Sequence, residues 1–424
     1  MSKIHILLFS IVIFLNACQS NNLKIENDED DLSEHYKTNK EVIYEKPKEA
    51  KDAIKYEIND DYITDEQYPF RIQNEKICTM VFHYTAQSYK KSLRALTTGG
   101  NSSHWLVPAN GKTIYKIVSE DRRAQHAGTS LWKNRKNVNV ISIGIEIVNL
   151  GFKCKNNKKF CDQESIEWIG FPEDQQKLII SLGKDIQERY NLDPLCIVGH
   201  SDIAVDRKLD PGPLFPWKRM AENGIGAWAT DEEIQSQIEK TKLTIGENIS
   251  PFLLQIRLYE FGYDIRNEKI SNKKVQSELI KFEYNIHKTP IIELNALNLA
   301  NNFGQKNVNI KIFDNKKTTF ALHSFLMHYL PQDYLTHKLT EEAREAKKAE
   351  KAKRKETRKG KKNKKLTVKV NRNKHETKKT PDSQPDYDGE TIELLKGFDN
   401  LKIFATLQAL LVKYPNKVRI GCNF

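Results

Sequence analysis

Two residues with metal-binding chemistry flank a short loop near the middle of the chain. His200 follows the β-branched pair Ile197-Val198, and Asp210 precedes Pro211-Gly212-Pro213. Proline and glycine in this arrangement prevent a helix or a hydrogen-bonded strand, so they predict a fixed turn around Asp210. A neutral imidazole and a carboxylate held at the end of a strand are typical zinc ligands. His83, which also ends an apolar run, is the candidate for the third ligand.

Glu146 lies inside a β-branched run, Val138–Val148, which predicts a central strand. Burial among apolar side chains raises the pKa of a carboxyl group toward the range that is useful for general acid–base catalysis. Glu146 is therefore a candidate proton shuttle. The alternative is a buried structural carboxylate that is paired with a nearby base.

Together with further motifs, these residues resemble the zinc N-acetylmuramoyl-L-alanine amidases of the AmpD and AmiD type, whose fold is shared with peptidoglycan recognition proteins. The resemblance extends from about Cys78 to Trp217, and its motifs follow the family's order. The motifs are His83, Ser103–Val107, Asn110-Gly111, Ile114-Tyr115, Gln125–Gly128, Ser142–Ile147 and His200–Pro213. The resemblance implies an α/β fold with a mixed central β-sheet flanked by helices.

The resemblance also implies the chemistry of the site. One Zn²⁺ per catalytic domain would be bound by His83, His200 and Asp210, with an open fourth position. The reaction implied is hydrolysis of the amide between N-acetylmuramic acid, or its anhydro form, and L-alanine in peptidoglycan or muropeptides, as part of cell-wall turnover. Glu146 would transfer the proton, and Lys208 would stabilise the oxyanion. The alternative is a non-catalytic peptidoglycan-binding lipoprotein of the same fold, although such proteins generally lack the third ligand.

Three further aromatic side chains accompany these motifs. His104 and His126 are rivals for metal binding, but the resemblance assigns neither of them to the metal. We predict that His104 and His126 bind substrate or support the ligands, and that Trp105 binds substrate. A satisfied core histidine would give the same pattern and is the alternative for the two histidines.

The N-terminus looks like a bacterial export signal. Its apolar run, Ile6–Leu15, is too short to span a membrane comfortably. It ends in Leu15-Asn16-Ala17-Cys18, which resembles a lipobox with Cys18 as the acylated residue; a plain cleaved signal peptide is the alternative. We therefore predict a lipoprotein signal over 1–17 and a disordered tether over 18–60.

The predicted location is the periplasmic face of the outer membrane, and a soluble periplasmic or secreted protein is the alternative. In that oxidising compartment Cys154 and Cys161, which flank a short polar loop, are candidates for a disulfide. Cys78 and Cys196 lie in apolar strands, where a cysteine is most simply a small buried hydrophobic residue.

The net charge of +12 does not indicate a nucleic-acid-binding protein, because the basic residues are concentrated in one segment. Residues 338–379 contain 19 Lys and Arg against six Glu, a local charge of +13, so +12 minus +13 leaves about −1 for the other residues. This segment is predicted to be a solvated linker or an electrostatic contact with an anionic envelope surface. The expected partners are peptidoglycan or muropeptides and, through Cys18, a membrane; no obligate protein partner is evident.

The remaining organisation is read from helical patterns. Residues 61–240 are predicted to form the catalytic domain, with a packing helix over Glu173–Tyr190. The segment Phe252–Tyr263 resembles the opening of a helical peptidoglycan-binding module. That small all-α module is predicted over 245–332 and 388–424, with a basic low-complexity segment, 333–387, between its two parts. The sequence leaves open whether the module binds the wall or is structural.

Overall fold

The computed structural model describes residues 42–44, 50–72, 75–155, 166–268, 313–337 and 398–415, together with residues 271, 273 and 277. Cys18, Cys161 and the basic segment 338–379 lie outside the described residues. The predictions made for them stay predictions.

A seven-stranded mixed sheet forms the centre of the first part of the chain. Its strands are Val42–Tyr44 (β1), Tyr56–Asn59 (β2), Thr79–Tyr84 (β3), Trp105–Val107 (β4), Thr113–Lys116 (β5), Ser142–Ile147 (β8) and Ile197–Gly199 (β11). Their order is β1-β2-β5-β4-β8-β3-β11. β3 lies between β8 and β11 and runs parallel to both, whereas β4 and β5 form the predicted antiparallel hairpin. The predicted mixed central sheet is therefore confirmed.

Two small hairpins lie outside this sheet. They pair Leu131–Trp132 (β6) with Arg135–Lys136 (β7), and Phe152–Cys154 (β9) with Ile166–Trp168 (β10). The strand predicted over Val138–Val148 is shorter in the structure. It begins at Ser142, because Val138–Val140 forms a 3₁₀ turn that leads into β8.

Helices flank the sheet and continue into the second part of the chain. They are Tyr89–Thr98 (α1), Glu173–Tyr190 (α2), His200–Ile203 (α3), Trp217–Glu222 (α4), Asp231–Thr244 (α5), Pro251–Phe261 (α6), Asn315–Tyr329 (α7) and Asn400–Lys413 (α8). The predicted packing helix is α2, with the predicted bounds. Within the described ranges, no helix has the length and apolar character needed to cross a bilayer.

Side-chain alternation along β3 and β8 determines which residues face the site. Phe82 and Ile145 are buried in the core that includes the apolar face of α2. Successive residues of a strand point to opposite faces, so His83 and Glu146 face away from α2. They are direct register partners in the parallel pair of β3 and β8. The strand pattern alone therefore places an imidazole beside a carboxylate on one face of the sheet.

Part of the predicted disordered tether is folded, so the boundary at residue 60 is wrong. Val42–Tyr44 and Tyr56–Asn59 are paired strands at one edge of the sheet. Ala53, Tyr56 and Ile58 are buried in the same core as α2. Tyr56 and Ile58 alternate with Glu57 and Asn59, and this short period-two pattern lies in a segment whose polar composition favoured disorder.

Helices α6, α7 and α8, which we call the helical module, pack against the face of the sheet opposite α2. One apolar core contains Val81 and Val198 of the sheet together with Leu254, Phe325 and Phe404 of the module. The described parts of the predicted module thus share a core with the catalytic region. Helix α8 packs back against α5 and α6, as the sequence predicted for the segment after the basic stretch.

Candidate metal centre

Three ligand atoms from distant parts of the chain meet at the carboxyl ends of β3 and β11. His83 lies in β3, His200 is the first residue of α3 directly after β11, and Asp210 lies in the turn before Pro211. His83 Nδ1 is 2.9 Å from His200 Nδ1 and 3.0 Å from Asp210 Oδ2, and the last two atoms are 3.1 Å apart. All three residues are buried.

This geometry fits a metal ion. The three atoms form a nearly equilateral triangle, and tetrahedral ligands about 2.0–2.1 Å from an ion are separated from one another by roughly 3.3 Å. Two imidazole nitrogens and one carboxylate are the donor set of catalytic zinc sites, which keep the fourth position open. Among the described residues, these three form the His, Cys, Asp or Glu group that could hold a metal.

A hydrogen-bonded chain determines the tautomer of His83. Ser142 Oγ donates to the Val138 carbonyl at 2.6 Å, so it accepts from His126 Nε2 at 3.0 Å. His126 Nδ1 is then an acceptor, and His83 Nε2–H donates to it at 3.0 Å. His83 Nδ1 consequently carries the lone pair that points into the triangle. Such outer partners orient metal-binding histidines and increase their basicity.

His200 is oriented in the same way by the backbone. Its Nε2–H donates to the Ala127 carbonyl at 3.1 Å, which leaves Nδ1 as the free lone pair. The Arg207 guanidinium donates to the same carbonyl and to that of Thr129. Burial, followed by the charge of His200, lowers the pKa of His83 to about 4, although Asp210 opposes this shift. The His83 ring is therefore neutral at physiological pH and can bind a metal ion through the lone pair of Nδ1.

We expect Ser142→Ala to weaken metal binding by about ten-fold or more, the effect usual for loss of an outer hydrogen bond. Without the Ser142 hydroxyl, His126 can adopt its other tautomer and no longer fixes the lone pair of His83. Competition with a chelator would measure the affinity. Ser92→Ala, which removes a buried hydroxyl that bonds to a backbone carbonyl in α1, is the matched control. Equal affinities for the two variants would contradict the assignment of the tautomer.

Glu146 faces the same side of the sheet as the three ligands. Its Oε2 is buried and has no hydrogen-bond partner among the described residues. Burial raises the pKa of Glu146 to about 8; the Asp210 carboxylate adds to this effect, and Lys208 opposes it. A buried carboxyl oxygen without a partner, next to a candidate metal site, is available to exchange a proton with a bound molecule.

Protonation of Glu146 should make the stability of the metal-free protein depend on pH. Its folded pKa, about 8, exceeds the ordinary value of 4.5. The stabilisation from the bound proton is fully present below pH 4.5 and is lost as the pH rises through 8. Relative to Glu146→Gln, which does not ionise, the wild type should lose thermal stability between about pH 5 and 9. Melting curves in the presence of a chelator would test this, and parallel pH profiles would contradict it.

Lys208 is partly buried and lies near both parts of the site. Its positive charge lowers the pKa of His83 and of Glu146. A cation in this position can stabilise negative charge that develops on a substrate oxygen. The predicted role of Lys208 remains a proposal, which this electrostatic effect on His83 and Glu146 supports.

The structure corrects the predicted substrate contacts of His104 and Trp105. His104 is fully buried; its Nδ1 accepts from Gly144 N–H, and its Nε2 donates to the Arg122 carbonyl. Trp105 is buried in the core of the α2 face, and its Nε1 donates to Glu120. The ring nitrogens of both residues bond to other groups of the protein, so His104 and Trp105 are structural residues of the sheet.

His126 supports a metal ligand, which was one of its two predicted roles, because both of its ring nitrogens belong to the hydrogen-bonded chain that orients His83. A side chain at Gly144 would displace it, since an added Cβ would lie 2.4 Å from the His126 ring. Ser142 and Asn139 also support the site, although the sequence did not predict this role for them. Asn139 Oδ1 accepts from the backbone of His126 and Ala127. A polar side chain inside the apolar run Val138–Val148 was the available signal.

The structure confirms one of the predictions made for the cysteines, contradicts another and leaves a third open. Cys154 is disulfide-bonded; the proposed partner Cys161 lies outside the described residues, so the pair Cys154–Cys161 stays a prediction. Cys78 is also disulfide-bonded, so its assignment as a free buried residue is wrong. Cys196 is a buried free thiol, as expected.

The mixed sheet, the converging His-His-Asp cluster and the adjacent buried glutamate define a hydrolase with a candidate metal centre. A family model for N-acetylmuramoyl-L-alanine amidase matches residues 73–213. The chain is 39% identical over 198 residues to N-acetylmuramoyl-L-alanine amidase AmiD of Escherichia coli, covering 45% of this chain and 68% of that protein. It is 28% identical over 214 residues to a putative N-acetylmuramoyl-L-alanine amidase of Rickettsia conorii, covering 48% and 73%.

The chain therefore belongs to the N-acetylmuramoyl-L-alanine amidase family. Its fold is similar to a solved complex of AmiD from E. coli with the substrate anhydro-N-acetylmuramic acid-L-Ala-D-gamma-Glu-L-Lys. The TM-score is 0.50 at 24% identity, and the match covers 80% of this chain and 91% of that chain. This likeness supports the α/β fold.

Proposed function

We propose that this amidase hydrolyses the bond between N-acetylmuramic acid, or its anhydro form, and L-alanine at a Zn²⁺ site formed by His83, His200 and Asp210. The observation that supports this most directly is the triangle of two Nδ1 atoms and one Oδ2 atom, with edges of 2.9–3.1 Å. The unpartnered Oε2 of Glu146 lies on the same face of the sheet.

The donor set supports zinc in particular. Two neutral nitrogens and one carboxylate leave the bound dication a net positive charge. Zn²⁺ supplies Lewis-acid polarisation of a carbonyl group and makes a water molecule more acidic.

The chain's own residues provide the remaining functions. In its ionised form, which a cation bound beside it would favour, Glu146 accepts a proton from the attacking water at Oε2 and delivers it to the alanine nitrogen as the amide breaks. Lys208 contributes positive charge where the carbonyl oxygen becomes negative. His126 and Ala127 keep the two histidines in the tautomers that leave Nδ1 unprotonated.

The substrate class follows from the family and from the relative with a bound ligand. AmiD of E. coli is solved with an anhydromuramoyl peptide that begins with L-alanine, and the same class of molecule is proposed here. The role is cleavage of wall fragments during peptidoglycan turnover.

The location is proposed from the N-terminal sequence. A lipid on Cys18 would anchor the chain to the periplasmic face of the outer membrane, where wall fragments are present. The disulfide at Cys154 is consistent with an oxidising compartment.

Digestion of purified muropeptides, with the products identified by mass, tests the proposed reaction. The full chain should release the intact peptide from the sugar, a chelator should stop the release, and added Zn²⁺ should restore it. Retention of glycan without release of peptide would instead favour the non-catalytic binding protein.

A further inference from the structure

Polar contacts join the helical module to the two residues that follow His200. Tyr263, just after α6, donates its hydroxyl to Asp202 Oδ1 at 2.7 Å. From α7, His328 Nδ1 lies 2.8 Å from Asp202 Oδ2, and Ser324 donates its hydroxyl to the Ser201 carbonyl at 2.8 Å. All of these residues are buried. The contacts are therefore shielded from water. Hydrogen bonds to a charged group contribute most to stability in such a buried environment.

Asp202 fixes the corner from which His200 projects. Its Oδ2 accepts from the backbone N–H of Gly199 at 2.8 Å, which closes the turn between β11 and α3. The corner is tightly packed, since a Cβ on Gly199 would lie 2.6 Å from Pro211. His200 is the first residue after this corner, so the position of its ring depends on Asp202.

The Asp202 carboxylate depends in turn on the module. Its side chain has no exposed surface, and a buried carboxylate is stable only when it is paired or fully hydrogen-bonded. Two of the three donors described here, Tyr263 and His328, come from the module. His328 is itself held in place by stacking on Trp217, with ring centroids 3.6 Å apart.

We infer that Tyr263 and His328 are positioning residues for the metal ligand His200. The helical module thereby helps to hold one ligand of the metal centre in place. This inference rests on the proposed metal site. Without the two donors, the buried carboxylate would move toward water and release Gly199. The Nδ1 atom of His200 would then leave the triangle that it forms with His83 and Asp210.

The test measures the affinity of the full chain for Zn²⁺ by competition with a chelator, independently of amidase activity. Tyr263→Phe and His328→Phe should each weaken the affinity by about ten-fold or more, because they remove a donor and keep an aromatic ring. His328→Asn retains an N–H donor near the position of Nδ1 and should restore most of the affinity.

Tyr329→Phe is the matched control, because the hydroxyl of this buried tyrosine of α7 makes no hydrogen bond within the part of the chain that the structure describes. Melting temperatures of the metal-free variants would identify any that fail to fold. If Tyr263→Phe and Tyr329→Phe lower stability alike and bind Zn²⁺ as the wild type does, the contacts only join the two parts and the inference is overturned. A wild-type chain that binds no Zn²⁺ would overturn the metal site as well.

Discussion

Glu146→Gln is expected to lower kcat for muropeptide cleavage by roughly 10²–10⁴-fold, the usual contribution of general acid–base catalysis. Glutamine keeps the size of the side chain but cannot accept a proton from water and return it to the alanine nitrogen. The variant should still bind Zn²⁺, because Glu146 is not one of the three atoms that form the triangle. Initial rates of peptide release, measured by mass, would give the ratio.

The matched control for this variant is Glu188→Gln, which alters an exposed carboxylate of α2. That helix packs on the face of the sheet opposite Glu146, so its variant should retain wild-type activity. Glu146→Gln with normal kcat would remove Glu146 from the mechanism and leave it as a buried structural carboxylate.

Asp210→Asn should reduce the affinity for Zn²⁺ by more than the 10–100-fold that is typical of losing an outer hydrogen bond. The substitution replaces the anionic ligand by a neutral amide, while the side chain keeps its shape between His83 and His200. Activity should fall with the bound fraction of metal. Affinity by chelator competition and metal content after dialysis would both measure the effect.

Asp206→Asn lies four residues earlier in the same loop and is the control, because Asp206 is exposed. It should bind metal and cleave substrate like the wild type. If Asp210→Asn retained full affinity, the third ligand would have to be another group, and the predicted His-His-Asp set would be wrong.

The predicted ligands came together in the structure because their signals are local. Apolar runs that end in His83 and His200 predict two strand ends, and Pro211-Gly212 predicts a turn next to Asp210. Parallel strands bring their carboxyl ends to the same edge of a sheet. Which strand ends lie side by side depends on the pairing of β3 with β11, and for this the prediction relied on the resemblance to the amidase family.

The sequence could not decide between the alternative roles of the other two histidines, because these roles depend on contacts between distant residues. His104 and His126 both lie near apolar strands, yet His104 bonds to the backbone at Gly144 and Arg122, whereas His126 bonds to His83. A one-residue difference in register would exchange such partners. Strand β2 was missed for a related reason, since its place in the sheet depends on pairing with β5.

The core that joins Val81 and Val198 to the helical module also affects how the enzyme can be divided. Removal of the residues after α5 would expose the apolar face of the sheet opposite α2 to solvent. Large exposed apolar patches of that kind promote self-association. A truncated amidase domain of this chain would therefore be expected to aggregate on expression, and the smallest practical unit for crystallisation or engineering retains α6, α7 and α8.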